Sequence, residues 1–353
     1  MTDDRPEASD GRVVIAPDKF RGTATAGEVA GAAAAAVRRV GGDPVPMAMS
    51  DGGEGLLDAC GDRCPELVVT RVTGPDGAPV DAAWRLGPGL AVVEMARASG
   101  LELAGGPQAN DPVAATSRGT GELLVAAARR VGPGGVVVLG MGGSATTDGG
   151  LGVWEAVRAA GGLGAVTLIG ACDVDIGYTE AAVRFGPQKG ADPGQVALLT
   201  RRLEVRADDW WRSFGIDVRG VPGAGAAGGT GGAVLVLGGQ LRSGYRLVAE
   251  LVRLDDALDA ARWAVTGEGA LDEGSFAGKV VGGVVADARG RGLATLVVVG
   301  RSTPAAAGRA RAMGCTVVSL TERFGSDRAE GATLACVDAV VAEWLSGHPD
   351  GTT

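Results

Sequence analysis

The stretch VVIAPDKFRGTATAGEVAGAAAAAVRRVGGDPVPMAMS, residues 13 to 50, decides the fold. Val13 to Ala16 is an unbroken apolar run stopped by Pro17 and Asp18, which predicts a buried strand. Ala26 to Val40 predicts a helix, and Val45 to Met49 a second short strand that ends at Asp51. Strand, helix and strand in this order are the opening of a parallel sheet.

The C-terminal third repeats the alternation. Strands are predicted at Trp263 to Thr266, Ala294 to Val299 and Thr316 to Leu320, with helices at Lys279 to Ala288, Pro304 to Met313 and Arg328 to Leu345. Between the two parts the texture changes. Leu67 to Val72 and Val80 to Trp84 alternate around a Gly-Pro-Asp-Gly turn, the pattern of an antiparallel hairpin. An inserted domain over 64 to 254 follows, within a discontinuous domain of 12–63 plus 255–347. Polar tails fall at 1–11 and 348–353.

Composition excludes several chemistries. The 353 residues contain one histidine, His348, in the tail SGHPDGTT, so a Ser-His-Asp triad or a histidine-ligated metal is not expected. Five scattered cysteines, Cys60 and Cys64 the closest pair, argue against a disulfide framework and a zinc ribbon. A net charge of −9 opposes nucleic-acid or acidic-membrane binding, and no apolar run is long enough to cross a bilayer. The start of the chain does not read as a secretion signal, and a cytoplasmic location is the expectation. Glycine patterns alone carry little weight where 62 glycines occur. GAGAAG at 223 to 228 lacks a preceding strand and a later acidic partner, so it is not read as a dinucleotide fingerprint. GSFAGK at 274 to 279 is not a Walker A loop, since Val280 follows its lysine. Trp210 and Trp211 are expected to serve packing.

What remains is a set of Gly-flanked, acidic strand exits. Asp18 with Lys19 and Arg21, SDGGEG at 50 to 55, GMGGSATTDGG at 140 to 150, ACDVD at 171 to 175, and TGEGALDEGSFAGK at 266 to 279 all follow predicted strands. Open α/β sheets bind ligands beyond such ends, where backbone N–H groups meet anions. Carboxylates, cations and hydroxyls without histidine suit phosphoryl transfer.

These motifs, together with APDKFRGTATAGEVA, VVEMARASGL, TSRGTGELL, FGPQKGAD and PGAGAAGG in their order, resemble the bacterial glycerate kinase family. The resemblance implies a flavodoxin-like α/β domain interrupted by a second α/β domain, with the active site in the cleft between them. It also implies ATP as phosphoryl donor, Mg²⁺, and conversion of glycerate to 2-phosphoglycerate. Lys19 and Arg21 resemble the family's basic pair and would hold a carboxylate or the transferring phosphoryl group, beside Asp18. Asp51 and Glu54, with Asp173 and Asp175, are the candidates for metal ligation and for the base. The 173/175 pair is expected on one side of a strand. Gly52 and Gly53, with Gly142, Gly143, Ser144 and Thr146, would line a phosphate path, with Asp148 capping the next helix. Lys189 would neutralise phosphates, and Glu268, Asp272 and Lys279 would complete the site. The family pattern is shortened or altered over 161 to 184 and carries Arg118 where an aromatic is usual. A different small hydroxy acid as acceptor, or a non-catalytic homologue, is therefore the alternative. A homodimer is the open expectation for assembly.

Overall fold

The computed structural model describes residues 11 to 347. The tails expected at 1–11 and 348–353 fall outside the described residues except for Gly11, and so does His348. Eleven strands are found there: β1 (Arg12–Ile15), β2 (Asp43–Pro46), β3 (Glu66–Thr73), β4 (Pro79–Gly87), β5 (Leu90–Glu94), β6 (Val136–Gly140), β7 (Thr167–Ala171), β8 (Gln240–Arg242), β9 (Trp263–Leu271), β10 (Ala294–Ser302) and β11 (Cys315–Ser319). The fold is α/β, with a parallel-sheet unit interrupted by a second α/β unit.

Among the described residues one unit comprises 11–51 and 245–347, the other 52–244. In the first, all five strands run parallel in the order β11-β10-β9-β1-β2. Counted within the unit, this is the flavodoxin-like order, with helices on both faces. The helix Ala26–Arg39 buries Val29, Ala30, Ala33, Ala34 and Val37, whose small side chains let it lie close against the sheet. Thr25 starts it, its Oγ1 accepting from Glu28 N while Thr25 N donates to Glu28 Oε2 (2.9 Å). On the opposite face, Val297 and Val299 pack with Val281, Val285, Ala306 and Ala310.

Two elements differ from the sequence reading. Strand β2 ends at Pro46 rather than Met49. Prolines 44 and 46 carry no N–H, so they fit an edge strand, while Asp43 N and Met47 N donate to Gly11 O and Ile15 O. The helix expected over 328 to 345 is broken into Ser326–Gly331 and Thr333–Ser346 at Ala332 (φ −138°, ψ 40°). There, Gly331 is a poor helix former and the Thr333 hydroxyl donates back to Ala329 O at 2.6 Å.

The second unit holds a six-stranded sheet, β3-β4-β5-β6-β7-β8. The β3–β4 hairpin is antiparallel as expected, and β5 to β8 are parallel. Trp84, Leu123, Leu124, Leu139 and Trp210 are buried in its core. Trp210 packs against Tyr178 in a tilted arrangement with centroids 5.3 Å apart, whereas Trp211 is 54% exposed, so only one of the tryptophan pair is buried. All five cysteines are free thiols, and burial pushes Cys60 up to about 12.

The units divide at 51/52 and 244/245, where the sequence reading put 63/64 and 254/255. Glu94 draws residues 55 to 57 onto β5 by accepting from Gly55 N (2.9 Å) and Leu57 N (3.0 Å), and Cys64 Sγ donates to Leu90 O. On the other side, the Tyr245 hydroxyl donates to Asp287 (2.6 Å), which ties residue 245 to the first unit.

Candidate active site

In the first unit the helices leave β1 and β9 on opposite sides, which makes these neighbours the topological switch point where α/β sheets bind ligands. A cleft of about 520 Å³ opens there, lined by Asp18, Lys19, Arg21, Asp51, Glu268, Lys279 and Arg301 among others. Six of these seven were expected from sequence. Phe20 fixes the segment after β1: its ring is buried, and its N–H and carbonyl pair with Ala24 through a tight turn containing Gly22 (φ 83°).

Asp18 lies just past the end of β1, and Glu268 lies on the adjacent strand β9. Asp18 N donates to Gly267 O at 2.9 Å, and Asp18 Oδ1 accepts from Lys19 N at 2.7 Å. Glycine at 267 is required by packing, since a Cβ there would sit 2.0 Å from Val298 O. Burial, and then the Asp51 charge, push the Asp18 carboxyl up to about 6. Burial pushes Glu268 up to about 7 against a Ser275 hydrogen bond, and the Asp18 charge adds to the rise. Glu268 Oε1 is buried and has no hydrogen-bond partner among the described residues.

Asp272 does not line this cleft. It caps the short turn Glu273–Phe276 by accepting from Gly274 N at 2.8 Å. Lys279 stands at the N-cap of helix Val280–Gly290. Arg301, on the exit of β10, was missed, although the third strand end of the same parallel sheet was an available clue. Among the described residues neither Arg21 nor Arg301 has an ion-pair partner.

In the second unit the exits of β6 and β7 meet the DGGEG turn. A Cβ on Gly142 would lie 2.6 Å from Gly53 Cα, and one on Gly52 would lie 2.9 Å from Ala171 Cβ. Glu54 is exposed at this turn. The following loop is pinned from several sides. Asp148 accepts from Ser117 N (2.8 Å), Ser117 Oγ (2.7 Å), Gly150 N (2.9 Å) and Gly152 N (3.2 Å), which caps helix Leu151–Ala159 as expected. The turn at Ala227 to Gly229 has positive φ throughout, and a Cβ on Gly228 would meet Thr146 O at 2.1 Å. PGAGAAGG thus serves as a close-packed support for the 146–150 loop. The altered segment 176 to 184 serves the same loop, because Tyr178 is buried and donates to Gly149 O at 2.7 Å.

Lys189 is buried, and its Nζ donates to Ser144 Oγ (2.8 Å) and Thr146 O (2.7 Å). Burial lowers its pKa to about 7, with Asp148 opposing. A neutral amine has two hydrogens, and these two bonds use both. Asn110, also missed from sequence, adds Nδ2 bonds to Ala145 O (3.1 Å) and Lys189 O (2.9 Å). Thr147 Oγ1 is buried without a hydrogen-bond partner among the described residues.

A lysine that folds neutral binds fewer protons than its unfolded form between pH 7 and 10.5, so its contribution makes stability rise with pH over that window. Lys189→Met is expected to lower stability by about 1–3 kcal/mol through the two lost bonds. It should also flatten the rise between pH 7 and 9, as read from urea midpoints. An unchanged slope in the variant would contradict the neutral, buried amine.

Asp173 and Asp175 do not share a strand face. Strand β7 ends at Ala171 and the backbone is irregular beyond it, so the two-residue spacing fixes no common side. Asp173 Oδ1 accepts from Gly244 N at 2.9 Å, and Asp175 is exposed. Arg118 is exposed and pairs with Glu122 at 3.1 Å along its helix. No group of three or more His, Cys, Asp or Glu side chains suited to a metal occurs among the described residues. No helix among them is long and apolar enough to cross a membrane.

A family model described as the glycerate kinase family matches residues 13–161 and 157–330. An uncharacterized protein of Mycobacterium bovis is 40% identical, covering 93% of this chain and 87% of that protein. The glycerate 2-kinase of Escherichia coli is 36% identical, covering 77% of this chain and 81% of that one. A Salmonella typhimurium structure named "putative glycerate kinase 2" superposes with a TM-score of 0.75 at 30% identity, covering 96% of this chain and 99% of that one.

Proposed function

Since the chain belongs to the glycerate kinase family and is a kinase of that family, we propose that it transfers the γ-phosphoryl group of ATP to the hydroxyl of glycerate, giving 2-phosphoglycerate. The observation that carries this reading is the switch-point cleft, where Lys19, Arg21, Lys279 and Arg301 stand beside two carboxyls poised near neutrality. Such a site offers an acidic substrate its counter-charges and a proton acceptor in one place. Lys19 and Arg21 hold the acceptor carboxylate or the group in transfer, with Asp18 and Asp51 setting the local charge. Gly142, Gly143, Ser144 and Thr146 form the phosphate-facing loop, kept rigid by Asp148, Lys189 and Asn110.

Magnesium is bound in kinases by one or two carboxylates together with substrate phosphates, so a protein cage is not needed. Asp173 and Asp175 fit that modest requirement and would hold it; when bound, the ion neutralises charge on the phosphate oxygens. The acidic surface suits a soluble, cytoplasmic enzyme acting on small molecules, without nucleic-acid or membrane partners. Arg118, held by Glu122, is available for a carboxylate only if that exposed pair opens, and such pairs are worth about 1 kcal/mol or less.

A coupled ADP-release assay with D-glycerate and a panel of larger hydroxy acids, at saturating MgATP, tests the reading. Turnover dependent on glycerate is the expected result. A different acid preferred by kcat/KM would replace glycerate as the acceptor, and silence with every acid would remove the kinase reading for this chain.

A further inference from the structure

The cleft contains more than one carboxyl, and although Ser275 also favours the charged form of Glu268, only Glu268 leaves a buried oxygen without a hydrogen-bond partner among the described residues. Asp18 Oδ1 already accepts the Lys19 N–H, a bond that favours its charged form and makes it a weaker base. Glu268 sits mid-strand on β9, paired with Val299 of β10, so its backbone is held by the sheet on the side facing β10. Its Oε1 is buried without a partner while the residue lines the cleft. A buried carboxylate oxygen left unpaired costs stability, and native structures keep few such atoms. An acceptor hydroxyl would supply the missing donor.

Resting on the kinase reading, we propose that Glu268 is the general base of the reaction, its Oε1 receiving the proton of the acceptor hydroxyl. The hydroxyl O–H bond breaks and its proton passes to Oε1. The hydroxyl oxygen bonds to the γ-phosphorus, the bond from that phosphorus to the bridging oxygen breaks, and the electron pair leaves with ADP. The proton departs to solvent after product release, restoring the carboxylate.

The charged and polar groups around Glu268 come from three elements: Asp18 after β1, Asp272 and Ser275 in the turn after β9, and Lys279 at the start of the next helix. Lys19 and Arg301 complete the cleft wall. Burial raises the Glu268 carboxyl to about 7, so the basic form grows as pH rises through neutrality. The apparent value seen in kinetics belongs to the Asp18–Glu268 pair.

The test compares the wild type with Glu268→Gln and Glu268→Asp, each as the full chain, by ADP release with the best acceptor from the panel between pH 5.5 and 9. The wild type should show kcat rising through an apparent pKa near 7. Glu268→Gln should lose about a hundredfold or more in kcat, with the acid limb gone and both KM values within about threefold. Glu268→Asp should keep the limb and lose about tenfold, and thermal midpoints show whether each variant is folded. A Gln variant that keeps a third of kcat, or keeps the limb, overturns the assignment while the kinase reading stands. Loss confined to KM assigns Glu268 to binding and overturns it as well. A wild type silent with every acid removes both together, so the two failures are distinguishable.

Discussion

Replacing Asp148 by alanine is expected to destabilise the second unit by roughly 3–5 kcal/mol. The carboxylate accepts four hydrogen bonds at a position 8% exposed, and three of the donors are the backbone N–H groups of Ser117, Gly150 and Gly152. Truncation leaves these donors buried and unpaired, each at about 1–3 kcal/mol, with partial relief from local relaxation. Ser117 is not a passive partner, because its Oγ also accepts from Val153 N at 3.1 Å. The same cut therefore loosens both helix Arg118–Val131 and helix Leu151–Ala159 at their starts. Thermal and urea denaturation would record a drop of roughly 10 °C or more in the midpoint of this unit. Asp148→Asn keeps one acceptor oxygen and should fall between. A shift below about 3 °C for the alanine variant would show that the loop is held chiefly by Lys189, Tyr178 and the 227–229 turn.

The parallel unit was legible because its three inner strands, β1, β9 and β10, are mostly buried and read as solid apolar runs. Val13 to Ala16 and Ala294 to Val299 offered no ambiguity, and each ended at a turn residue. The order β2-β1-β9-β10-β11 then placed Asp18, Glu268 and Lys279 together, as the shared strand-end logic anticipated. Register also explains Arg301, which pairs with Ala270 just beyond Glu268. Its strand exit carries a cation in place of a Gly-flanked carboxylate, so the acidic-exit pattern does not mark it.

Other features were hidden for physical reasons. The unit boundaries depend on Glu94 and Tyr245, whose partners are 37 to 42 residues away, so no local window could reveal them. The two-residue spacing of Asp173 and Asp175 suggested a strand, but β7 has already ended. Lys189 in GPQKG looked like a loop cation, and only the tertiary bonds to Ser144 and Thr146 show it as a buried strut. Glycine-rich PGAGAAGG had no meaning from composition; its need for positive φ at Ala227 to Gly229 arises from contact with the 146–150 loop.

Asp173→Asn is expected to lower kcat by about a hundredfold or more while leaving the fold unchanged. The substitution is informative because an amide can keep a bond that the carboxylate makes. Asp173 Oδ1 accepts from Gly244 N, and an asparagine carbonyl oxygen accepts the same N–H at the same distance. The local backbone thus keeps its tie between the exit of β7 and residue 244. What changes is charge, and a carboxylate that shares a cation with nucleotide phosphates loses most of its hold when it becomes an amide. The expected pattern is a fall in kcat with a raised Mg²⁺ requirement, and with a thermal midpoint within about 2 °C of wild type. It differs from that of Glu268→Gln, which should remove the acid limb of the pH profile without altering the Mg²⁺ dependence. If Asp173→Asn retains near-normal turnover at low Mg²⁺, the residue is a turn former that fastens Gly244, and the metal role passes from it. Should activity fall together with the midpoint, the tie to Gly244 rather than the charge accounts for the loss. Asp173→Ala, which removes both bond and charge, separates the cases, since only the structural role predicts that alanine is far less stable than asparagine.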